Sequence, residues 1–393
     1  MSHTNLTVYG ATWCSDCKRA KKFLGEQRVH YNWVDVEQDT AGLAFVEQAN
    51  NGKRIIPTIV FDDKSILVEP SNAELAQKLG LQTRANMDYY DLICIGGGPA
   101  SLTAALYAAR EGLDVLVIEK SGLGGQAGVT ERLDNFPGFP EGIAGAEFAD
   151  RLVQQTRRFG VELLQAQEVI GLREEEESKY VTTADSNEYG ARALLIATGS
   201  TYRRLGVPGE DELIGAGVHF CATCDGPFYK DQHVAVIGGG NSAGEESLFL
   251  TRFADKVTIL ARGPELTASK IVIDKVTTNP KIDVHCNVEV AELHGESHLS
   301  GITLRDRVTG TTEMINPAAA FVFIGLSPNS GWLPAKIQRD PAGFIITQMN
   351  LETSLSGVFA AGDVRLGSTK QAASAVGEGA TAALMIREYL KTI

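Results

Sequence analysis

One pattern occurs twice in this chain and limits its fold more than any other feature. From Asp91 to Lys120 the sequence DLICIGGGPASLTAALYAAREGLDVLVIEK reads as an apolar strand, a glycine turn, a small-residue helix and a second apolar strand. The pattern returns 142 residues later as HVAVIGGGNSAGEESLFLTRFADKVTILAR, from His233 to Arg262. In this register Gly96 meets Gly238, Gly98 meets Gly240, Leu106 meets Leu248 and Arg110 meets Arg252. A strand–turn–helix–strand unit builds a parallel sheet covered by helices, so the chain is of the α/β class. Two copies predict an internal duplication, with two Rossmann-like nucleotide-binding domains.

The copies differ where chemistry would differ. The first is Gly96-x-Gly98-x-x-Ser101, with Pro99 and Ala100 opening the helix. Its first glycine makes the tight turn, its second lets a pyrophosphate approach the backbone, and the small third residue packs helix on strand. The anion then sits on the helix N-terminus. Glu119 ends the second strand, placed to accept from a ribose hydroxyl. The second copy is Gly238-x-Gly240-x-x-Ala243, with Asn241 and Ser242 between. Its position matching Glu119 is Ala261, and Arg262 follows. A 2′-phosphate is repelled by an acid and attracted by a guanidinium. The first unit therefore reads as a site for a nucleotide with a free ribose, the second as an NADPH site. The plain alternative for Arg262 is a solvated surface charge.

Six cysteines in 393 residues are too sparse for a disulfide scaffold. Four form two Cys-x-x-Cys pairs, Cys14/Cys17 and Cys221/Cys224. Neither pair has two further ligands at zinc spacing, so a redox dithiol is the better reading of both; the rival is a pair of buried structural cysteines for Cys221/Cys224 and a metal clip for Cys14/Cys17, and no metal is expected. Asp225 follows the second pair as a candidate proton donor or acceptor for the leaving thiolate, or as a helix N-cap. His219 reads as a packing or hydrogen-bonding residue. Cys14 falls where a strand turns into a helix, with Lys18 and Arg19 one turn on, and both effects stabilise a thiolate. Ile56-Pro57-Thr58 follows about forty residues later, a place where proline can be cis beside a dithiol. Cys94 and Cys286 are single, lie on apolar strands and read as core.

Residues 1–81 read as a small α/β module. Strands are expected at Leu6–Tyr9, His30–Val36, Ile55–Phe61 (interrupted by Pro57) and, more weakly, from Leu67 to Glu69. Helices are expected over Cys17–Gln27 and Thr40–Asn50, and from a cap at Ser71 or Asn72 to near Gly80. Residues 82–88 carry no strong period and read as a linker. The acidic run Glu174–Glu177 reads as a solvated turn. Asp plus Glu outnumber Lys plus Arg by 49 to 36, and a net charge of −13 disfavours nucleic acid as a partner. No basic-then-apolar leader is visible, and no apolar run approaches the ~18–20 residues of a membrane span. A cytoplasmic protein without a membrane partner is expected.

The ordered motifs carry a resemblance. GGGPAS at 96–101, GGQAG at 124–128, NFPGF at 135–139, IATGS at 196–200, CATCD at 221–225, GGGNSA at 238–243 and GVFAAGDVRLGSTKQAA at 357–373 follow one another from Tyr89 to the C-terminus. Through them this part of the chain resembles the low-molecular-weight thioredoxin reductases. Residues 1–80 resemble glutaredoxins, including the mycoredoxins, through WCSDC, IPT and EPSNAEL. The resemblance implies a homodimeric flavoenzyme with an FAD domain split over 89–204 and 326–393, an inserted NADPH domain over 205–325 carrying the CATC dithiol, and a thioredoxin-like glutaredoxin domain over 1–81. It implies that Gly96, Gly98 and Glu119 hold the FAD pyrophosphate and ribose, with Pro99, Ala100, Ser101, Thr198, Gly199 and Gly362 in the same site. Gly125, Gln126 and Asn135 would lie near the flavin, Asp363 on the ribityl–phosphate stretch, and Gln371 and Ala372 against the isoalloxazine. Gly238, Gly240, Asn241, Ser242, Ala243 and Arg262 would hold NADPH. Cys224 would face the flavin and Cys221 attack the substrate disulfide; Cys14 would be the arm's nucleophile and Cys17 its resolving thiol.

Two departures stand out. The family often carries a His-Arg-Arg cluster where this chain has Ala261-Arg262-Gly263, and a later Arg where it has Thr267. The Trp-Cys-Gly-Pro-Cys motif of thioredoxin is absent, which favours a glutaredoxin-like arm. The expected activity is an FAD-dependent disulfide reductase, passing electrons from NADPH via FAD to Cys221/Cys224, then to Cys14/Cys17 and an external disulfide of a protein or a low-molecular-weight thiol. The rivals are a dithiol oxidase, a reductase with another donor, and a non-catalytic flavin-binding redox sensor.

Overall fold

The computed structural model describes residues 6–27, 29–130, 132–133 and 135–393, apart from the side chains of Thr223 and Cys224. Its contacts divide the chain into two compact units. One takes the chain up to Val129, then Ala146–Gly199 and Asn329–Ile393; the other takes Thr130–Gly145 and Ser200–Pro328.

The first unit opens with β1 (Leu6–Gly10), α1 (Ser15–Glu26), β2 (Tyr31–Asp35), α2 (Thr40–Ala49), β3 (Thr58–Val60), β4 (Ile66–Val68) and α3 (Asn72–Lys78). The sheet order is β2-β1-β3-β4, with β1 parallel to β2 and the other pairs antiparallel. Leu6 and Val8 point to one side of β1 and pack with Ala20, Phe23 and Leu24 of α1, Ile59 and Leu75. Ser71 caps α3 through a capping box with Glu74. The Ile56–Pro57 peptide is cis.

Residues 82–88 have the irregular backbone their sequence suggests, yet they are held along their length. The Gln82 carbonyl accepts from the Gln165 N–H at 2.8 Å, and the Gln82 side chain bonds Glu162. Ala85 N–H donates to the Tyr189 hydroxyl and Asn86 N–H to Glu162. The leading module also packs on this unit's larger sheet. Ala166 joins its core, the buried side chains of Gln27 and Gln165 meet, and a Cβ at Gly122 would stand 1.9 Å from the Glu26 carbonyl oxygen.

The larger sheet runs 169–175, 178–183, 188–196, β5 (Tyr89–Ile95), β6 (Val115–Ile118) and 162–164, with 358–360 beside the end of 188–196. From 188–196 to 162–164 the pairs are parallel. One face is covered by α4 (Pro99–Arg110) and the helix Ala372–Leu390, and Cys94 is buried there. These two helices touch closely because Gly379 has no side chain; a Cβ there would meet the Ala100 carbonyl oxygen at 2.2 Å. The acidic run Glu174–Glu177 is an exposed hairpin turn, with Arg173 paired to Glu175 and Glu188.

The second unit is built on a parallel sheet ordered 218–219, 319–322, 233–237, 256–260, 282–285. An antiparallel sheet of 288–294, 301–306 and 312–315 packs with it. Cys286 corrects an expectation. It is not on a strand and is only half-buried, because Asn287 at φ 58° ends the strand Ile282–His285 in a turn before Val288 begins the next.

Candidate functional site

The duplicated motif makes the same contacts at its turn in both copies. Gly96 has φ 104°, its N–H bonds the Ile118 carbonyl, and a Cβ on it would stand 2.4 Å from the Ala197 carbonyl oxygen. Gly238 has φ 143°, its N–H bonds the Leu260 carbonyl, and a Cβ on it would stand 2.4 Å from the Phe323 carbonyl oxygen. Only glycine satisfies both demands. Gly98 and Gly240 then N-cap the following helices without a side chain to occupy the amides. Among the described residues nothing lies within 4 Å of a Cβ placed at either one. Each copy is thus an uncapped helix N-terminus facing open space, which fits a phosphate group. Ser101 and Ala243 are buried against their strands.

At the far end of each unit the copies diverge. Glu119 is buried, and its carboxylate accepts from the N–H of Gly97 and from the N–H and hydroxyl of Ser121. Ala261 is buried in the matching place, and Arg262 beside it is exposed. Asn241 accepts from the Ser269 N–H, tying the second turn to the next helix, and Ser242 is exposed on the same helix.

Around the first turn the fold assembles most of the residues expected there. A Cβ on Gly125 would stand 3.1 Å from the Gly98 Cα, so the short helix Gly125–Val129 with Gln126 abuts the cradle. Thr198 and Asn329 exchange two hydrogen bonds of 2.8 Å, and Gly199 accepts from the Asn329 N–H. Gly362, at φ 74°, approaches Ala100. Burial pushes the Asp363 carboxyl above its ordinary range and the Lys370 amine below its own. Gln371 caps the helix that begins at Ala372. Three residues here were not anticipated. Lys370 donates to the carbonyls of Asp363 and Arg365, while Glu378 accepts from the Gly362 N–H and pairs with Arg365 at 2.7 Å. Arg365 and Lys370 lie in the stretch 357–373 with Gln371, but only the fold turns Glu378 back on the loop. Asn135 is placed on the segment Thr130–Gly145 of the second unit, between the turn 132–133/143–144 strands.

The two dithiols differ in state. Cys14 is the N-cap of α1, and its sulfur accepts from the Cys17 N–H at 3.1 Å. The Cys14 thiol lies 3.7 Å from the Ile56 carbonyl, just before the cis-proline. Both sulfurs are free thiols, and Cys17 is fully buried. Burial first, then the neighbouring Cys14, pushes the Cys17 thiol up to about 12. Arg19, expected to favour the thiolate, bonds Asp16, Asn72 and the Pro70 carbonyl instead. Exposed Trp13 donates to Glu37, which also pairs with Arg54.

Cys221 is disulfide-bonded, and the side chain of Cys224 lies outside the described residues. The Asp225 carboxylate makes no cap bond among the described residues. It stands 3.4 Å from Nδ1 of His219, whose Nε2 is 2.7 Å from the Tyr229 hydroxyl. His219 is buried between the rings of Tyr229 and Phe321. Among the described residues no cluster of three His, Cys, Asp or Glu is placed to hold a metal, and no helix is long and apolar enough to cross a membrane.

Comparison with known proteins places this geometry. Residues 90–379 match the family described as pyridine nucleotide-disulphide oxidoreductase, and residues 6–66 match glutaredoxin. The thioredoxin reductase of Treponema pallidum (strain Nichols) is 40% identical over 304 residues, 77% of this chain and 98% of that protein. The bifunctional thioredoxin reductase/thioredoxin of Mycobacterium leprae (strain TN) is 42% identical over 307 residues, 78% of this chain and 67% of that protein. Among solved structures, thioredoxin reductase from Streptococcus pyogenes MGAS5005 matches with a TM-score of 0.73 at 39% identity, covering 78% of this chain and 99% of that one. The chain belongs to the thioredoxin reductase family of pyridine nucleotide-disulphide oxidoreductases, enzymes that use FAD and NADPH, and it carries a glutaredoxin-like domain ahead of the reductase.

Proposed function

We propose that this chain is a disulfide reductase in which electrons from NADPH pass by way of FAD to Cys221/Cys224, then to Cys14/Cys17, and finally to an external disulfide. One observation carries the reading: a single cradle occurs twice with opposite ends, buried Glu119 in one and Ala261 with Arg262 in the other. Glu119 suits a free ribose and Arg262 a 2′-phosphate. Residues 89–204 and 326–393 would form the FAD domain and 205–325 the NADPH domain. Bound in these places, the two nucleotides would supply a hydride donor and a two-electron carrier.

The chain's own residues do the thiol chemistry. Two electrons and two protons convert the Cys221–Cys224 disulfide to a dithiol. Asp225, which stands 3.4 Å from His219, would give or take one of those protons. The Cys221 thiolate then attacks the Cys14–Cys17 disulfide, and Cys224 closes the first disulfide again as the arm leaves reduced. Cys14, at the helix N-terminus, attacks the external disulfide. Cys17 resolves that mixed disulfide, so each exchange oxidises one dithiol and reduces one disulfide. Tethering the arm replaces a bimolecular encounter with a high local concentration. The enzyme acts as a homodimer in the cytoplasm, on a protein or low-molecular-weight disulfide.

Anaerobic stopped-flow mixing with NADPH and with NADH tests the donor, and NADPH consumption against a panel of disulfides tests the acceptor. Cys14→Ser should abolish turnover that depends on the arm. Flavin absorbance that neither nucleotide bleaches overturns the reading.

A further inference from the structure

The sequence offers one cation, Arg262, for the corner where a 2′-phosphate would lie, and the fold brings a second. Arg307 follows the strand Gly301–Asp306 and is 45 positions from Arg262. Its Nη1 donates to the Arg262 carbonyl oxygen at 2.8 Å. Backbone bonds fix this approach. Arg307 N–H donates to the Asn287 carbonyl at 2.7 Å, Asn287 N–H to the Gly263 carbonyl at 2.8 Å, and Val288 N–H to the Ala261 carbonyl at 3.1 Å. The Asp306 carboxylate accepts from the N–H groups of Val308 and Thr309 at 2.8 Å each and pins the turn that carries Arg307. The antiparallel sheet is therefore stitched to the strand end that follows the second glycine turn, which is where the ribose of a bound nucleotide falls.

Three arginines meet at this corner. Arg305 and Arg307 share Glu289, each at 3.5 Å. Glu265 is the other acid on the loop, close enough to act on Cys286. Arg262, Arg305 and Arg307 thus gather at this corner among the carboxylates of Glu265, Glu289 and Asp306, and the Asp306 carboxylate is taken up by backbone N–H groups. The Arg307 side chain is 48% exposed, and its bond to the Arg262 carbonyl uses one of the five N–H donors of a guanidinium.

We propose that Arg307 is a specificity-determining residue that joins Arg262 in recognising the 2′-phosphate of NADPH; this rests on the reading of the second cradle as the NADPH site. It supplies from another sheet the positive charge that Ala261, Gly263 and Thr267 do not.

The test is calorimetric titration of the full-length FAD-loaded protein with adenosine 2′,5′-bisphosphate and with adenosine 5′-monophosphate, in the parent and in Arg307→Gln, Arg307→Lys and Arg262→Ala. Loss of one charge-assisted contact should weaken bisphosphate binding about tenfold in Arg307→Gln. Monophosphate binding should be unchanged, which also shows the variant folded, and Arg307→Lys should recover part of the loss. The NADPH-over-NADH ratio of kcat/KM should fall by the same factor. Bisphosphate binding unchanged in Arg307→Gln but weakened in Arg262→Ala overturns the role of Arg307 and leaves the NADPH site standing. A parent protein that binds both nucleotides equally overturns both.

Discussion

Cys17 donates its backbone N–H to the sulfur of Cys14 from the first turn of α1. Both sulfurs are buried, but Cys14 caps the helix while the Cys17 thiol is pushed up to about 12 by burial and by Cys14. A raised acid keeps its proton until the pH nears that value, so Cys17 is neutral through the physiological range. Iodoacetamide at about pH 7–8 should label Cys14 in preference to Cys17, because the thiolate is the reacting form and the Cys17 thiol keeps its proton there. Peptide mapping by mass spectrometry reads the outcome, and arm labelling should fall by at least about tenfold in Cys14→Ser. Equal labelling of the two would contradict the arrangement. The same shift sets an alkaline limit. An unfolded chain releases this proton near 9.0 and the folded arm near 12, so stability falls as the pH rises between them.

Glu119 is the acid that distinguishes the first cradle, and the protein already bonds it to Gly97 and Ser121. Glu119→Ala strips the buried Gly97 N–H and the part-buried Ser121 donors of their acceptor, at about 1–3 kcal/mol. FAD should be retained roughly 10–100-fold less tightly, and the melting temperature should drop. Glu119→Gln, which keeps one acceptor oxygen, should fall between. Fluorescence of flavin released on gel filtration measures this. Unchanged retention in Glu119→Ala would count against the first cradle as the FAD site.

What could be read from the sequence was what local sterics dictate. Gly96 and Gly238 announce themselves because a left-handed turn under a carbonyl admits no side chain. The exchange of Glu119 for Ala261 is equally plain, since one register aligns both copies. What was hidden depends on partners far along the chain. Arg307 reaches Arg262 only through the register of two hairpins. Arg19 is drawn from Cys14 by Asn72 and Pro70. Glu162 holds the segment that reads as a linker. Cys286 left the core because one left-handed asparagine ended its strand.

Gly122 tests how the arm is held. Its Cα faces the Glu26 carbonyl at the end of α1, so any side chain must push that backbone away. Gly122→Val should loosen the seam where Gln27 meets Gln165. Limited proteolysis should then cut near residues 82–88 several-fold faster. Reduction of the flavin by NADPH should stay at the parent rate, because the variant leaves both glycine cradles intact. An arm cleaved no faster than in the parent would show that the seam is not what holds it.

His219 tests the proton path at the second dithiol. Its Nδ1 faces Asp225 and its Nε2 faces Tyr229, so the ring is held at both nitrogens. His219→Phe keeps the packing against Tyr229 and Phe321 but removes both polar contacts. The Asp225 carboxylate is then free to turn from the leaving sulfur. Disulfide turnover should fall about tenfold, a fraction of the effect of removing a general acid outright. Flavin reduction by NADPH should be unaffected, because the role proposed for His219 belongs to the later disulfide step. His219→Gln should recover part of the loss by restoring a donor toward Asp225. Full turnover in the phenylalanine variant would mean that the imidazole serves packing alone, and equal slowing of both half-reactions would mean a structural fault.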